Sequence, residues 1–265
     1  MKATVEGYMS QPVITIDKSA LVSEAFELME KHSISHVVVT RGGKPFAVVT
    51  LRDLVDRLAS LKTAQAALSK IRVVSVCSEG LVSVSPKTSL KRAAREMLER
   101  DMSSLAVMDG EELVGILTLT DVLKACVECS KPVREGVVES IASVKTSSTL
   151  LHVRKLMFAW DLKALAVIEG EQLVGLVTER EVARALIQLR KDTQLPAQLE
   201  ERLRLVRMED IMIQNPPYIR LSQTLGEAAE VMVEEKVPAL PVLDEEHVLA
   251  GMIDRRKVVK KCLLS

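Results

Sequence analysis

One arrangement of residues recurs four times along this 265-residue chain, and it restricts the fold more than any single motif does. In the first copy, Val22-Ser-Glu-Ala25-Phe-Glu-Leu-Met29 spaces its apolar residues three and four apart, the pattern of an amphipathic helix. Its counterparts run from Leu90 to Met97, Leu150 to Met157 and Leu225 to Met232. Five residues after each Met stand Ile34, Met102, Leu162 and Val237. The strand that follows ends its aliphatic run at Val39, Val107, Val167 and Val242. Chance does not keep three such columns in register over four copies. The Met column itself reads as core packing between helix and sheet.

The rest of the unit follows from local chemistry. Met9 to Ile16 is a short extended run interrupted by Pro12. Val37-Val38-Val39 is a β-branched buried strand, and Gly42-Gly43 turns it into Phe46-Ala47-Val48-Val49. Thr50 then opens a second helix that runs on to Leu61. The unit is therefore β-α-β-β-α, an α+β architecture. Val82–Val84, Leu105–Val107, Leu165–Val167 and Leu240–Val242 supply matching strands in the later copies. Helical linkers, Leu54 to Leu68 and Lys191 to Met208, join copies within each half. The loop-forming stretch Cys129-Ser-Lys-Pro132-Val-Arg-Glu-Gly136 marks the main break. Expected repeats are thus 1–69, 70–130, 131–195 and 196–265, in two halves, 1–130 and 131–265.

The chemistry collects where the last strand of each unit meets its second helix. The second copy reads Gly115-Ile-Leu-Thr118-Leu-Thr120-Asp121, two hydroxyls and a carboxylate at a helix start. An ionised Asp only accepts, so a diol bonding to it at two points satisfies both partners. Backbone N–H groups at the helix start favour an anion beside it. The first copy has Thr50, Arg52 and Asp53, with Ala47 in place of the glycine, and the third has Thr178, Arg180 and Glu181. The fourth has Asp254 for the hydroxyl and Lys257 for the Asp. Helix capping is the plainer role for the same Thr and Asp residues, and it is compatible with ligand contact.

Composition excludes several classes. Lys+Arg and Asp+Glu balance at 36 each, which removes any global attraction to nucleic acid or an anionic membrane. Aromatics are 2%, too few for base-stacking platforms. No apolar run reaches membrane-spanning length and the N-terminus lacks a signal-peptide core, so a cytoplasmic protein is expected. Cys126 and Cys129 are spaced like half of a zinc ribbon, but no second pair exists, and reduced thiols without a metal are expected. His32, His36, His152 and His247 show no metalloprotease spacing, and neither a P-loop nor a G-x-S-x-G nucleophile motif occurs. The chain does not read as an enzyme.

These repeats resemble the CBS domain, a regulatory unit whose signature is a glycine, two aliphatics, a Thr or Ser, two variable residues and an Asp. The resemblance spans essentially the whole chain. It implies pairing through the sheets into two Bateman modules, stacked as a disc, as in the gamma subunit of AMP-activated protein kinase and its stand-alone archaeal relatives. It also implies adenine nucleotides (AMP, ADP or ATP) or S-adenosylmethionine in clefts between paired domains, as regulatory ligands rather than required cofactors. Asp121 and Asp53 would then meet ribose, and Thr118, Thr120 and Thr50 would meet phosphate. Arg52 could grip phosphate, Thr178, Arg180 and Glu181 form a weaker third site, and the fourth is not expected to bind ribose.

The kinase subunit also places a His-Arg pair ahead of the middle strand; the corresponding pairs here are Ser35-His36, Ser103-Ser104, Lys163-Ala164 and Pro238-Ala239. Of these, His36 and Lys163 remain cationic candidates. The expected function is a ligand sensor that acts on a separate protein. The alternative is a ligand-free scaffold presenting its helices to a partner. Direct nucleic-acid binding and membrane insertion are not expected, and a homodimer is compatible with the pattern.

Overall fold

The computed structural model describes residues 3–59, 68–77, 80–137, 143–192 and 196–265. The first repeat comprises β1 (Thr15–Asp17), α1 (Val22–Lys31), β2 (His36–Arg41), β3 (Lys44–Thr50) and α2 (Leu51–Ala59). The second follows with β4 (Ser83–Val84), α3 (Leu90–Glu99), β5 (Ser104–Asp109), β6 (Glu112–Thr118) and α4 (Leu119–Leu123). The third contains β7 (Ser143–Lys145), α5 (Leu150–Ala159), β8 (Ala164–Glu169), β9 (Gln172–Thr178) and α6 (Glu179–Asp192), and α7 (Pro196–Leu205) links it onward. The fourth comprises α8 (Met208–Ile211), β10 (Ile213–Gln214), β11 (Ile219–Arg220), α9 (Leu225–Glu234), β12 (Ala239–Leu243), β13 (Leu249–Asp254) and α10 (Arg255–Val259). A π turn over Lys260–Leu264 ends it.

In every repeat the strand before the ten-residue helix (β1, β4, β7 or β11) pairs parallel to the next strand, which closes the hairpin antiparallel, while β10 pairs antiparallel with β9 of the third repeat. The valine column has a common geometry: Val39, Val107, Val167 and Val242 each immediately precede a register shift in the hairpin. The Met column is core, with Met29, Met97, Met157 and Met232 all fully buried. Each such side chain contributes roughly 1.5–3 kcal/mol of transfer free energy. Each first helix ends at a left-handed residue, namely Ser33, Asp101, Asp161 and Lys236, which aims the chain into the next strand.

The expected extended run from Met9 forms a strand only at Thr15–Asp17. Its earlier part is a leader that docks on a different repeat. The leader turn Val5–Gly7 bridges through Thr4 to Ser89 of the second repeat, and Ser10 pairs with Ile116 at the edge of β6. The turn Val73–Ser75 returns to the first repeat through Arg72 and Leu21. Val133–Glu135 reaches the fourth repeat through Pro132 and Thr224, and α8 reaches the third through Arg207 and Thr149. Each leader buries an apolar anchor completely: Val5, Val73, Val133 or Met208. The loop at the predicted break is therefore a docked leader with a defined turn.

The leaders also explain two signature glycines. A Cβ on Gly115 would fall 2.5 Å from Met9 Sδ, and one on Gly175 would strike Met212. Both methionines belong to leaders, so these glycines admit a neighbouring repeat's segment. Ala47 takes this place in the first repeat and is fully buried.

Leaders stitch the first repeat to the second and the third to the fourth, and the sheets of the last two meet through β8 and β12. The helices join the halves differently. α2 packs on α6, and α10 packs on α4, so the first repeat faces the third and the second faces the fourth. The buried side chains form two clusters that follow this crossing. One holds Leu54, Leu58, Val182 and Leu186 from the first and third repeats. The other holds Leu119, Leu123, Val258 and Val259 from the second and fourth. No helix among the described residues is long and apolar enough to cross a membrane.

Candidate functional site

The second repeat's hydroxyl-carboxylate set closes on itself at the head of α4. Asp121 Oδ2 accepts from the Thr118 backbone N–H at 2.9 Å and from the Thr118 hydroxyl at 2.7 Å. That is a reciprocal cap, since the Asp121 N–H donates back to Thr118 Oγ1 at 3.4 Å. The other oxygen, Oδ1, accepts from Ser10 Oγ at 3.1 Å and from Lys124 Nζ at 2.9 Å. Asp121 is 3% exposed, whereas the Lys124 side chain is 48% exposed. Thr120 lies on the first turn of α4 and takes no part in the cap. Ser10 arrives on the docked leader, a contribution that the spacing within one repeat does not reveal.

The first repeat builds the same cap. Asp53 Oδ2 accepts from the Thr50 N–H and hydroxyl, both at 2.8 Å. Burial pushes the Asp53 carboxyl above its ordinary range, against the opposing pull of these two hydrogen bonds. In the third repeat, Glu181 Oε2 accepts from Thr178 N at 3.1 Å and from its hydroxyl at 2.5 Å, and Glu181 is 6% exposed. The longer Glu thus makes the accepting half of the same cap, while the Arg180 N–H donates to Thr178 Oγ1 at 3.1 Å. In the fourth, Asp254 itself caps α10 by accepting from the Lys257 N–H at 2.8 Å.

Arg52 and Arg180 lie in the seam between halves. Arg52 donates to the carbonyls of Met157 and Leu162, pairs with Glu179 at 3.0 Å and Asp161 at 2.9 Å, and stacks on Phe158. Arg180 donates to the carbonyls of Met29 and Ile34 and pairs with Glu30 at 2.5 Å. Arg256, at the matching position of the fourth repeat, holds the carboxylate and carbonyl of Asp101. Each guanidinium sits at a helix C-terminus, where free carbonyls concentrate negative potential. Thr120 is the one residue of this column that is not an arginine.

Where the repeats converge, the groups are polar. His36 bonds through Nε2 to Ser103 Oγ at 2.7 Å and through Nδ1 to Ser35 Oγ at 3.0 Å. Removal from water pushes its pKa down to about 4; Arg255 and Lys163 push the same way and Asp121 opposes them. The first residue after each capping position donates its N–H inward in the same manner. Leu51 bonds to Ser35 O, Leu119 to Ser103 O, Glu179 to Lys163 O and Arg255 to Pro238 O. Glu179 is raised by burial despite Lys163 and Arg52, and Arg255 is lowered to about 10 by burial and Arg180. Arg255 Nε is buried without a hydrogen-bond partner. The centre thus gathers His36, Lys163 and Arg255 from three repeats, with Asp121 from the other. Among the described residues, no group of three or more His, Cys, Asp or Glu is placed to hold a metal ion.

Comparison with known proteins matches this geometry to one family. The CBS domain family model matches residues 5–60, 73–128, 134–188 and 208–263. The chain is 21% identical over 267 residues to an uncharacterised protein of Methanocaldococcus jannaschii, MJ1225, covering 95% of each chain. The solved structure of MJ1225, described in its report as a candidate archaeal homologue of g-AMPK, superposes with a TM-score of 0.84 at 20% identity, covering 98% of this chain and 99% of that one. An uncharacterised conserved protein of Pyrococcus horikoshii superposes with a TM-score of 0.64, again at 20% identity, with 98% and 99% covered. YhcV of Bacillus subtilis, a CBS domain-containing protein, is 31% identical over 119 residues, 45% of this chain and 82% of its own. A doubled pair of β-α-β-β-α repeats with matched capping carboxylates and swapped leaders, fitted by the family model in all four copies, makes this chain a member of the CBS-domain family.

Proposed function

We propose that the protein is a regulatory sensor that binds an adenine nucleotide or a related adenosyl ligand, such as S-adenosylmethionine, beside Asp121. The observation that carries this reading is the state of Asp121 Oδ1. It belongs to a buried carboxylate, yet one of its two partners is Lys124, whose side chain is about half exposed. Solvent at the Lys124 end screens this ion pair, so the ammonium holds Oδ1 less firmly than a fully buried cation would. A ribose diol can replace Lys124 on Oδ1 while Oδ2 keeps the cap on Thr118. Thr120, with no guanidinium at its position, leaves the head of α4 open to phosphate, to which its hydroxyl can donate and for which Arg255 supplies the counter-charge. Ligand binding would regulate by favouring one angle between the halves, because α4 packs on α10 across the seam.

The scaffold reading draws on a different observation. At the first and third repeats the candidate nucleotide-site residues Arg52 and Arg180 are committed to the opposite half. We assign those positions to holding the halves together and the second repeat to ligand. Thermal melting with AMP, ADP, ATP and S-adenosylmethionine, each at millimolar dose, separates the readings. A ligand far above its dissociation constant raises the melting temperature by mass action, by about 2.7 kcal/mol of stability at a hundredfold excess. A flat response to all four supports the scaffold.

A further inference from the structure

The ten-residue helices of the second and fourth repeats, α3 and α9, hold equivalent places on one side of the molecule. α3 packs on the π turn that ends the fourth repeat, and α9 packs on the turn Lys124–Cys126 that ends the second. Between them α4 packs on α10, so the arrangement is reciprocal, as across a two-fold axis. Leu90 and Met97 of α3 correspond to Leu225 and Met232 of α9, and the exposed positions correspond with their charge inverted. Arg92 stands where α9 has Glu227, Arg95 where it has Glu230, and Arg100 where the chain leaving α9 has Glu235, and all six are exposed. Glu99 is the one exposed carboxylate of α3, and α9 contains no cation. Exposed Lys260 on the π turn extends the basic half, and exposed Glu128 beyond Cys126 extends the acidic half. Among the described residues, Arg92, Arg95, Glu230 and Glu234 enter no ion pair, while Arg100 pairs with Glu96 of its own helix. The helices α1 and α5 also differ in sign, with Glu24 and Glu27 against His152 and Lys155. There, however, α7 packs on α5, and Glu30 of α1 is held by Arg180 and Arg184.

We propose that this face is a two-fold interface with a second copy of the chain, in which the basic α3 side of each copy lies on the acidic α9 side of the other. An isologous interface must be self-complementary, because every contact is made twice. A face with one basic half and one acidic half meets that condition when it is turned on itself. Lys+Arg and Asp+Glu balance at 36 each, so two copies carry no net charge to repel one another while the separated halves attract. Val127, 45% exposed, gives the face an apolar residue to bury beside the first turn of α9, where a Cβ on Gly226 would press on the Val127 carbonyl. A polyanion would match the basic half alone and be repelled by α9, whereas a second copy uses both halves. The inference does not depend on any ligand at Asp121.

Sedimentation velocity of the full-length protein tests this. Wild type is expected to sediment as a dimer at low salt and to shift toward monomer at about 1 M salt, where the Debye length is about 3 Å. One variant combines Arg92→Glu with Arg95→Glu, and a second combines Glu230→Lys with Glu234→Lys. These side chains are exposed and unpaired, so both variants should melt close to wild type. Each variant alone is expected to weaken the dimer by about tenfold or more, through like charges opposed twice. Mixed in equal amounts, the two are expected to dimerise again, because each supplies the charge that the other lacks. Glu27→Lys, on the other side of the molecule, is expected to leave the dimer unchanged. A monomeric wild type at low salt would overturn the proposal. So would undiminished dimers in either variant alone, mixed variants that stay monomeric, or loss of the dimer in Glu27→Lys.

Discussion

Arg52 and Arg180 make the same contact in opposite directions. Arg52 caps the helix end at Met157 and Leu162, and Arg180 caps the helix end at Met29 and Ile34, the equivalent residues of the first repeat. The two columns most regular in the sequence therefore supply the carbonyls that join the halves. Replacing Arg52 by Ala removes two backbone contacts and takes from the buried Glu179 its 3.0 Å ion pair, leaving the longer one to Lys163 at 3.6 Å. A loss of about 2 kcal/mol in unfolding stability is expected, from the value of hydrogen bonds to charged groups. Arg52→Lys should recover little of it, because a point charge cannot reach both carbonyls and the Phe158 face. Urea titration of the three proteins checks this.

Lys124 Nζ occupies Asp121 Oδ1 at 2.9 Å, the oxygen that the proposed ligand would take. Lys124→Met keeps the length of the stem and removes the competitor. The affinity for the adenosyl ligand is expected to rise by up to about fivefold, the equivalent of about 1 kcal/mol. Isothermal titration of both proteins reads this directly. A fall in affinity would mean that Lys124 serves the ligand.

His36 stays neutral in the folded protein well below its ordinary range, with a folded pKa of about 4 against 6.5. The unfolded chain then binds the extra proton first, so stability is intact above about pH 6.5 and is lost as pH falls toward 4. Asp53, Glu179 and Asp254, whose carboxyls are raised by burial, act in the opposite sense at the lower end. The informative quantity is the difference between wild type and His36→Gln, which keeps hydrogen-bonding groups for Ser35 and Ser103. The variant is expected to lose less stability between pH 6.5 and 4.5, measured by denaturant unfolding at each pH.

Gly226 is the second residue of α9, where helix propensity alone favours Ala over Gly. A Cβ there would press on the Val127 carbonyl and lie 2.9 Å from Cys129 O, both backbone atoms of the passing chain. Gly226→Ala is expected to destabilise by about 1–3 kcal/mol, as overpacking does. Gly115→Ala meets the mobile end of Met9 and should cost less. Melting temperatures of the two variants give the order.

The repeat, its strand order and its Met column were legible because each has a local period. Leu90 and Met97 announce a helix face whatever they pack on. The leaders were not legible, because Val5, Val73, Val133 and Met208 carry no pattern beyond a single apolar residue, and their partners lie in another repeat. For the same reason, Ser10 could not be assigned to Asp121. The capping carboxylates were found by spacing, and Glu181 shows that one added methylene still reaches the cap. Arg52 was read as a phosphate grip, and Arg180 as part of a weaker third nucleotide site, from the family resemblance. Their places across the seam depend on which helix each faces, a matter of packing that spacing within one repeat does not encode.

The most direct test of the account is calorimetric titration of the nucleotide panel into wild type and Asp121→Asn. The amide oxygen of Asn can still cap Thr118, so the fold is retained, but it cannot accept a ribose diol as a carboxylate does. The account predicts that at least one adenosyl compound binds wild type and that Asp121→Asn weakens it by about tenfold or more, or about 1.4 kcal/mol, while its melting temperature stays close to that of wild type. Undiminished binding in Asp121→Asn would contradict it.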